Sequence, residues 1–426
     1  MRYDSAPAVA IYVHVPFCRA RCDYCDFNTY AGLDHLMPMY VEALCREIEI
    51  AGQRWGPLSV PTIYLGGGTP SLLPLDLLAS LISALYSTFL VRCNPEVTIE
   101  ANPGTITLAY LKGMRALGVN RLSLGVQSVC DHELQMLGRI HSWHDAVRAI
   151  GWAREAGFEN LNLDLIFGMP GQAMVQWQET LGAVLDLQPE HLSLYDLSVE
   201  ERTPLAQRIA NQVLPPVDEE RSAAMYELAE GILAQAGFFH YEVSSWARMD
   251  GKPQTVGCGW WPETHMPHRK PRLSEEMSRY VCRHNLIYWR NRPWLGLGAG
   301  AHSWMTGRIL NSTRSVPKGQ RWANTRHPRD YIAARRATDQ QFAPRHSVED
   351  IDRRLEMGET MMLGLRLAEG VRADRFEGRF RESLADVFGD ELAELRDLGL
   401  LTWDGLVARL TRRGRLLGNQ VFARFI

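Results

Sequence analysis

Cys18-Arg19-Ala20-Arg21-Cys22-Asp23-Tyr24-Cys25 places three cysteines within eight residues, spaced C-x3-C-x2-C. The run follows directly on Val9-Ala10-Ile11-Tyr12-Val13-His14-Val15, an apolar, β-rich stretch that reads as a strand. A strand that delivers a thiolate loop can gather three soft ligands around one cubic iron–sulfur cluster. Three ligands for four irons leave one iron open, much as a catalytic zinc keeps a free position for a second molecule. Zinc is one alternative, and it would need a fourth ligand. Three ordinary cysteines near one another by chance are the other.

Downstream, strand-like and helix-like stretches alternate. A helix is expected over 36–52, with Tyr40, Val41, Leu44 and Ile48 at helical spacing. Thr62-Ile63-Tyr64-Leu65 reads as a buried strand, followed by a helix from Leu75 to Phe89. Strands are expected at 96–100, 121–125, 161–166 and 191–197, and helices at 107–117, 173–187 and 218–236. Ser142 is placed to cap a helix that runs to Ala156, and Gly157 to stop it. A last strand is expected at 241–245. About six alternations mean parallel strands joined by right-handed helical crossovers. Six units are too few for a closed eight-unit barrel, so the reading is α/β, an open, partial (β/α)6 barrel over 1–247. Ligands bind such folds at the carboxyl ends of the strands.

From 248 to 283 the pattern dissolves into Pro, Gly, Trp and His, which suggests a surface insertion. Within it Cys258, His265, His268 and Cys282 are irregularly spaced candidates for zinc or heme. Regularity resumes over 284–345, read as an extension of the barrel. Residues 346–426 read as a separate, smaller unit. Helices at 350–367 and 384–398, a hairpin around Asp404-Gly405 and a final helix at 413–425 suggest a winged-helix-like α+β module. Such modules often bind nucleic acid, yet basic residues cluster only around Arg409 to Arg415, so no nucleic-acid partner is expected.

Composition bounds the class. Hydrophobic residues make up 46% and charged residues 22%, as in an ordinary globular protein. A net charge of −3 offers no global field to nucleic acid or anionic lipid. No stretch reaches about 18 consecutive apolar residues, and no charged start with an apolar h-region opens the chain. Eight cysteines, three of them clustered, do not form a disulfide framework, which fits a reducing cytoplasm. Cys45, Cys93 and Cys130 stand alone and read as ordinary small residues.

Several strand ends carry residues suited to ligands. Gly66-Gly67-Gly68-Thr69-Pro70 lets backbone approach a ligand, although a tight turn explains three glycines equally well. Glu100, before Ala101-Asn102-Pro103, can accept hydrogen bonds from ribose hydroxyls or serve as a surface carboxylate. Gln127 ends the next strand. Asp164 lies in an apolar strand, where an unpaired carboxylate is costly; pairing with Arg139 would relieve that cost. His284-Asn285-Leu286-Ile287-Tyr288-Trp289 offers an imidazole for iron and flat rings for a porphyrin, or simply a packed core. His302, after Gly298-Ala299-Gly300-Ala301, reads as a site residue or a structural histidine.

The C-x3-C-x2-C spacing is that of the radical S-adenosylmethionine (SAM) superfamily. Tyr12-Val13-His14-Val15-Pro16-Phe17-Cys18 and Cys25-Asp26-Phe27-Asn28 resemble the HemW heme chaperone family, related to the oxygen-independent coproporphyrinogen III dehydrogenases. The likeness spans essentially the whole chain outside the insertion. It implies that Cys18, Cys22 and Cys25 hold a 4Fe-4S cluster and that SAM chelates the fourth iron. It implies a SAM site lined by Tyr12, Tyr24, Gly67, Gly68, Thr69, Glu100, Gln127, Arg139, Asp164, Ser198 and His302, with a second SAM left open. It links His284, Tyr288 and Trp289 to heme, and it implies that the C-terminal module is a packing lid. The function implied is transfer of heme to recipient hemoproteins, membrane-bound ones among them, with pairing of two copies through the cysteine loop. The electron donor stays unnamed.

The rival is the dehydrogenase, in which reductive cleavage of SAM gives a radical that abstracts hydrogen from a porphyrinogen propionate side chain, leading to oxidative decarboxylation. Its relatives carry a further cysteine two residues after the third, where this chain has Phe27, and the lead before the first strand is short. A radical SAM methyltransferase and a cluster-bearing winged-helix regulator are further classes. Replacing Cys18, Cys22 and Cys25 together with Ala should abolish the broad iron–sulfur absorbance of reconstituted protein; full retention of the cluster would sink the central assignment.

Overall fold

The computed structural model describes residues 6–249, 274–307, 309–310, 319–337 and 345–426. Cys258, His265 and His268 lie outside the described residues, as does most of the expected insertion. The chain divides into two compact units. The first comprises Met1–Glu190, Leu194–Ser222 and Pro293–Asp350; the second comprises His191–Ser193, Ala223–Arg292 and Ile351–Ile426.

The first unit is built on a large, mainly parallel sheet. Its strands are β1 (Ala10–Val15), β2 (Ser59–Gly67), β3 (Leu90–Ala101), β4 (Arg121–Gln127), β5 (Leu161–Phe167) and the Leu194–Asp196 part of β6 (His191–Asp196), which lie side by side in that order. Ile11 pairs with Ile63, Leu65 with Ile99, Thr98 with Arg121 and Leu122 with Leu161, all in parallel register. Helices Met37–Trp55, Leu75–Thr88, Leu108–Ala116, Trp143–Glu155 and Met174–Asp186 connect the strands. The expected helix boundaries hold to within a few residues. Ser142 and Asp145 form a reciprocal capping box at the Trp143 helix, which fixes its start.

Two parts of the strand reading are corrected. The segment expected as a last strand at 241–245 is an antiparallel hairpin in the second unit, β7 (Phe238–Glu242) and β8 (Ser245–Arg248). Glu242 turns the chain there by accepting from the Ser244 amide at 3.2 Å. On the other side of β1 lies β9 (Trp294–Leu297), parallel to it with Leu295 opposite Ile11. Antiparallel β10 (His302–Met305) and β11 (Gly319–Asn324) extend the sheet from there. The 284–345 segment expected as one extension therefore divides after Arg292. Residues from Pro293 follow β9 into the first sheet, whereas Leu286 packs with Tyr241, Leu367 and Ala368 in the second unit.

In the second unit, helices Arg353–Gly364, Ala373–Phe380 and Leu384–Asp397 accompany a three-stranded sheet. Its strands are β12 (Val371–Arg372), β13 (Leu401–Trp403) and β14 (Val407–Leu410), in the order β12-β14-β13. Phe376, Phe380, Phe388, Leu392 and Phe425 fill its core, giving the expected winged-helix-like α+β module. The helix expected at 413–425 is two short ones, Arg412–Leu416 and Gly418–Phe422, because Leu417 leaves helical geometry (φ −104°, ψ 25°). The short Ala373–Phe380 helix was not legible in the sequence.

One buried carboxylate ties the long helix of the first unit to the turn after β9. Glu47 is fully buried and accepts from the Gly298 amide (2.8 Å), Asn324 Nδ2 (2.9 Å) and the Tyr331 hydroxyl (2.5 Å). Tyr40, on the same helix, donates to the His14 carbonyl and accepts from the Ala299 amide, both at 2.8 Å. Gly298 adopts φ +99°, and a Cβ there would meet the His14 carbonyl at 2.6 Å. Glu47→Ala would leave buried donors without an acceptor. We expect it to destabilise the full chain by about 3 kcal/mol, read as a lower urea midpoint; an unchanged midpoint would show that water replaces the carboxylate.

Candidate cluster and cofactor site

The cysteine loop leaves the carboxyl end of β1. Its base is closed by a two-residue parallel pairing, Phe17 with Tyr30 and Cys18 with Ala31. Inside the loop the Cys25 amide donates to the Cys22 carbonyl (3.2 Å), and Arg21 donates to the Cys25 carbonyl (3.0 Å). Asp23 anchors the loop outward. Its amide donates to Leu137, its carbonyl accepts from Leu205, and its carboxylate pairs with Arg208 at 3.0 Å. Tyr24 packs against a small core that includes Met136, Leu137, Ile166 and Met169.

Each thiol has a polar neighbour. Thr69 donates to Cys18 Sγ (3.7 Å), Arg139 Nη1 to Cys22 Sγ (3.4 Å), and Thr29 Oγ1 lies 3.8 Å from Cys25 Sγ. Burial pushes the Cys18 thiol up to about 11, so in the metal-free protein it is protonated and would give up that proton to bind iron. Among the described residues, no three His, Cys, Asp or Glu side chains converge on a single point as the ligands of one ion would. A 4Fe-4S cube needs no such convergence, because each thiolate takes its own iron. Three soft sulfur donors on one loop, beside a guanidinium that offsets anionic charge, fit that cluster better than zinc.

Strand alternation explains the rest of the site. Leu122, Leu124 and Val126 of β4 are fully buried, as are Ile63 and Leu65 of β2 and Leu163 and Leu165 of β5. The alternate positions carry polar groups joined across the strands: Tyr12 and His14 on β1, Tyr64 on β2, Glu100 on β3, Ser123 on β4, and Asn162 and Asp164 on β5. The lumen side of this half-barrel is thus built for a polar ligand.

Glu100 accepts from the Tyr64 hydroxyl (2.8 Å) and the Gly67 amide (2.9 Å). Burial, with Asp164 adding, raises its carboxyl to about 7, against the opposing pull of Tyr64, Gly67 and Arg121. Asp164 accepts from Ser123 Oγ (3.0 Å) and Asn162 Nδ2 (2.8 Å). The sequence reading gave Asp164 to Arg139. The Arg139 guanidinium instead donates to the Gly125 carbonyl (2.7 Å) and to Cys22, and it hydrogen-bonds Tyr24. Gln127 sits at φ +69°, presented by a register shift after Gly125, whose Cβ would collide with Gln127 Nε2 at 2.9 Å.

The glycine turn is required by its neighbours. A Cβ on Gly67 (φ +113°) would meet the His14 ring at 2.4 Å, and one on Gly68 would meet the Phe17 carbonyl at 2.6 Å. His14 was not read as a site residue, yet it touches three parts of the site. Its Nε2 lies 2.9 Å from the Asn28 carbonyl, which can only accept, so Nε2 carries the proton and Nδ1 accepts from the Tyr12 hydroxyl at 3.0 Å. Burial lowers its pKa to about 4, which keeps it neutral. Tyr64 and Asn28 were missed as well. Period-two alternation from Tyr12 and Glu100 was the signal for Tyr64 and His14; nothing local marked Asn28.

The remaining candidates divide. Ser198 is exposed and donates to Glu200 at 2.7 Å. His302 opens β10 and is exposed. His284, Tyr288 and Trp289 lie on helix Arg283–Trp289 of the second unit. The His284 ring is buried, and its Nε2 lies 2.9 Å from the Tyr288 hydroxyl. Arg366 stacks over Trp289 at 5.2 Å.

The chain matches the radical SAM superfamily over residues 12–184 and the HemN C-terminal domain over 351–417. It is 32% identical over 416 residues to the heme chaperone HemW of Bacillus subtilis, covering 97% of this chain and 98% of that protein. It is 35% identical over 414 residues to the heme chaperone HemW of Mycobacterium tuberculosis, covering 96% and 93%. Among solved structures, coproporphyrinogen III oxidase (HemN) from Escherichia coli superposes with a TM-score of 0.79 at 23% identity, covering 99% of this chain and 90% of that one.

Glu100 supplies a pH test. A carboxyl raised from 4.5 to about 7 contributes stability that is present below 4.5 and lost as pH rises through 7. Glu100→Gln cannot ionise, so it should gain roughly 2 kcal/mol on the parent between about pH 5 and pH 8, read from unfolding midpoints. Parallel stability curves would mean that Glu100 titrates as an ordinary carboxylate.

Proposed function

Because the chain belongs to the HemW heme chaperone family of the radical SAM superfamily, we propose that it binds heme and passes it to recipient hemoproteins, membrane-bound ones among them, from a reducing cytoplasm. The observation that carries this reading is the near end-to-end likeness to proteins named heme chaperone, at 32–35% identity over more than nine-tenths of both chains.

In this proposal Cys18, Cys22 and Cys25 hold a 4Fe-4S cluster, and the polar lumen holds SAM. The cluster with SAM supplies one-electron chemistry or a structural switch when bound. The chain's own residues do the positioning. Tyr12, Gly67, Gly68, Thr69 and Glu100 lie around one turn, joined through His14, Tyr64 and the Gly67 amide. Arg139 offsets charge at Cys22 and fixes the Tyr24 hydroxyl, while Gln127 and Asp164 complete the far side of the lumen. Two copies meeting through the cysteine loop would be consistent with the exposed Phe27 ring on that loop.

The dehydrogenase reading has less support. HemN is related at a level that establishes the fold alone. The position two residues after Cys25 holds Phe27, which carries no thiol and is 70% exposed. A nucleic-acid role for the winged-helix-like module is opposed by charge. Its third helix, Leu384–Asp397, carries Asp386, Asp390, Glu391, Glu394 and Asp397 against Arg396 alone, which is the wrong sign for phosphates.

The test uses anaerobically reconstituted protein. Hemin titrated by absorbance should bind stoichiometrically, and addition of reductant, SAM and coproporphyrinogen III should yield no decarboxylated product. Turnover to protoporphyrinogen IX would overturn the reading in favour of the enzyme.

A further inference from the structure

Gln127 is held in a backbone conformation that L-residues seldom adopt. Five non-glycine residues among the described ones have positive φ, and four of them, Gln188, Gln212, Asn291 and Arg381, close helices, where a left-handed residue is ordinary. Gln127 instead ends β4, at φ +69°. The Ser128 amide donates back to the Val126 carbonyl at 3.0 Å, which makes 126–128 a γ-turn of the rare, strained hand. Such a turn persists only where its surroundings hold it.

The holding groups come from one segment, 131–141. Arg139 Nη2 donates to the Gly125 carbonyl (2.7 Å), His141 Nε2 lies 3.2 Å from the Val126 carbonyl, and Ser128 Oγ donates to Glu133 Oε2. A carbonyl only accepts, so His141 Nε2 carries the proton, and the Val126 carbonyl takes two donors, His141 and the Ser128 amide. His141 is 4% exposed, and its Nδ1 meets no hydrogen-bond partner among the described residues. A buried acceptor left unmet opposes folding, so packing alone favours an apolar side chain here. What calls for a histidine is the carbonyl. Burial, with Arg139 adding, lowers the His141 pKa to about 4, which keeps the ring neutral with its one proton on that bond.

The turn aims a side chain. Gly125 follows Ser123 at period two, on the lumen face, and a Cβ on it would meet Gln127 Nε2 at 2.9 Å and Arg139 Nη2 at 3.1 Å. The Gln127 amide is thus folded back over Gly125, beside the Arg139 guanidinium. The residue is 7% exposed, yet its side-chain amide has no hydrogen-bond partner among the described residues. A buried amide with a free donor and a free acceptor suits a ligand that carries both kinds of group, as the ammonium, carboxylate and ribose hydroxyls of SAM do. Resting on the SAM-binding reading above, we propose that His141 is a positioning residue: by holding the Val126 carbonyl it fixes the γ-turn that presents the Gln127 amide to SAM in the lumen, and it acts through Gln127 alone.

The experiment takes the full chain with its cluster reconstituted and reads SAM affinity by equilibrium dialysis. Gln127→Ala should weaken SAM binding about 10-fold, the worth of one hydrogen-bonding group. His141→Ala should weaken it about 5-fold or more, whereas His141→Gln, whose amide can donate to the same carbonyl, should stay within about 2-fold of the parent. Gln127→Ala combined with His141→Ala should bind no more weakly than Gln127→Ala alone, because the two act through one group. A merely structural histidine would add its own loss in that pair. Parental affinity in His141→Ala or in Gln127→Ala would overturn the assignment, as would multiplied losses in the pair or equal losses in His141→Gln and His141→Ala. Failure of the parent chain to bind SAM would remove the SAM-binding reading itself, and the assignment with it. Cluster absorbance in each variant shows that the fold survived.

Discussion

The cysteine loop carries almost no regular structure, so its position depends on anchoring side chains, Asp23 on one side and Asn28 on the other. Two residues of strand pairing close its base; Asp23 pins its middle to Arg208, and Asn28 pins its end. The Asn28 amide reaches two carbonyls on separate segments, its side-chain oxygen accepts from Tyr30 at 3.1 Å, and its backbone carbonyl fixes the tautomer of His14. A loop that must present three sulfurs to a rigid cube cannot tolerate much wandering, and hydrogen bonds from one planar amide restrict it in several directions at once. The fit is tight: a Cβ on Gly300 would strike Asn28 Nδ2 at 2.4 Å.

From that anchor the rest of the first unit follows one rule. Each strand gives an apolar face to the helices and a polar face to the lumen. Carboxylates in such a lumen are costly unless donors meet them, and here each has them: Tyr64 and Gly67 for Glu100, Ser123 and Asn162 for Asp164. The two also repel, which is part of why Glu100 sits near 7. A ligand that brings hydroxyls or positive charge into this space replaces an unfavourable arrangement with a favourable one. Electrostatics and steric closeness thus favour the same kind of occupant.

The second unit is held by ion pairs, some of them buried, as well as by its aromatic core. Arg290 spans Glu369 (3.0 and 3.1 Å) and Glu275 (2.6 and 2.7 Å), and Arg415 grips Glu230 at 2.7 Å. Within this unit the His284 ring is buried against Tyr288, on the helix whose Leu286 packs with Tyr241.

The sequence by itself determined the alternation of strands and helices, the cysteine loop and the strand-end residues, because those features are written in local periodicity and spacing. Leu122, Leu124 and Val126, with Ser123 between them and Gln127 after them, already specify a two-faced strand, and Ser142 with Asp145 a helix start. Tertiary structure alone decided what has no local signature. It placed Trp294–Leu297 beside β1 across almost 300 residues of chain, gave Arg139 to Gly125 and Cys22 rather than to Asp164, and made His14 and Asn28 the joints of the site. It also separated His284, closed into a core, from His302, exposed at the start of β10. The physical reason is that hydrogen bonds and burial are set by neighbours in space, and spacing along the chain records only those neighbours that are also near in sequence.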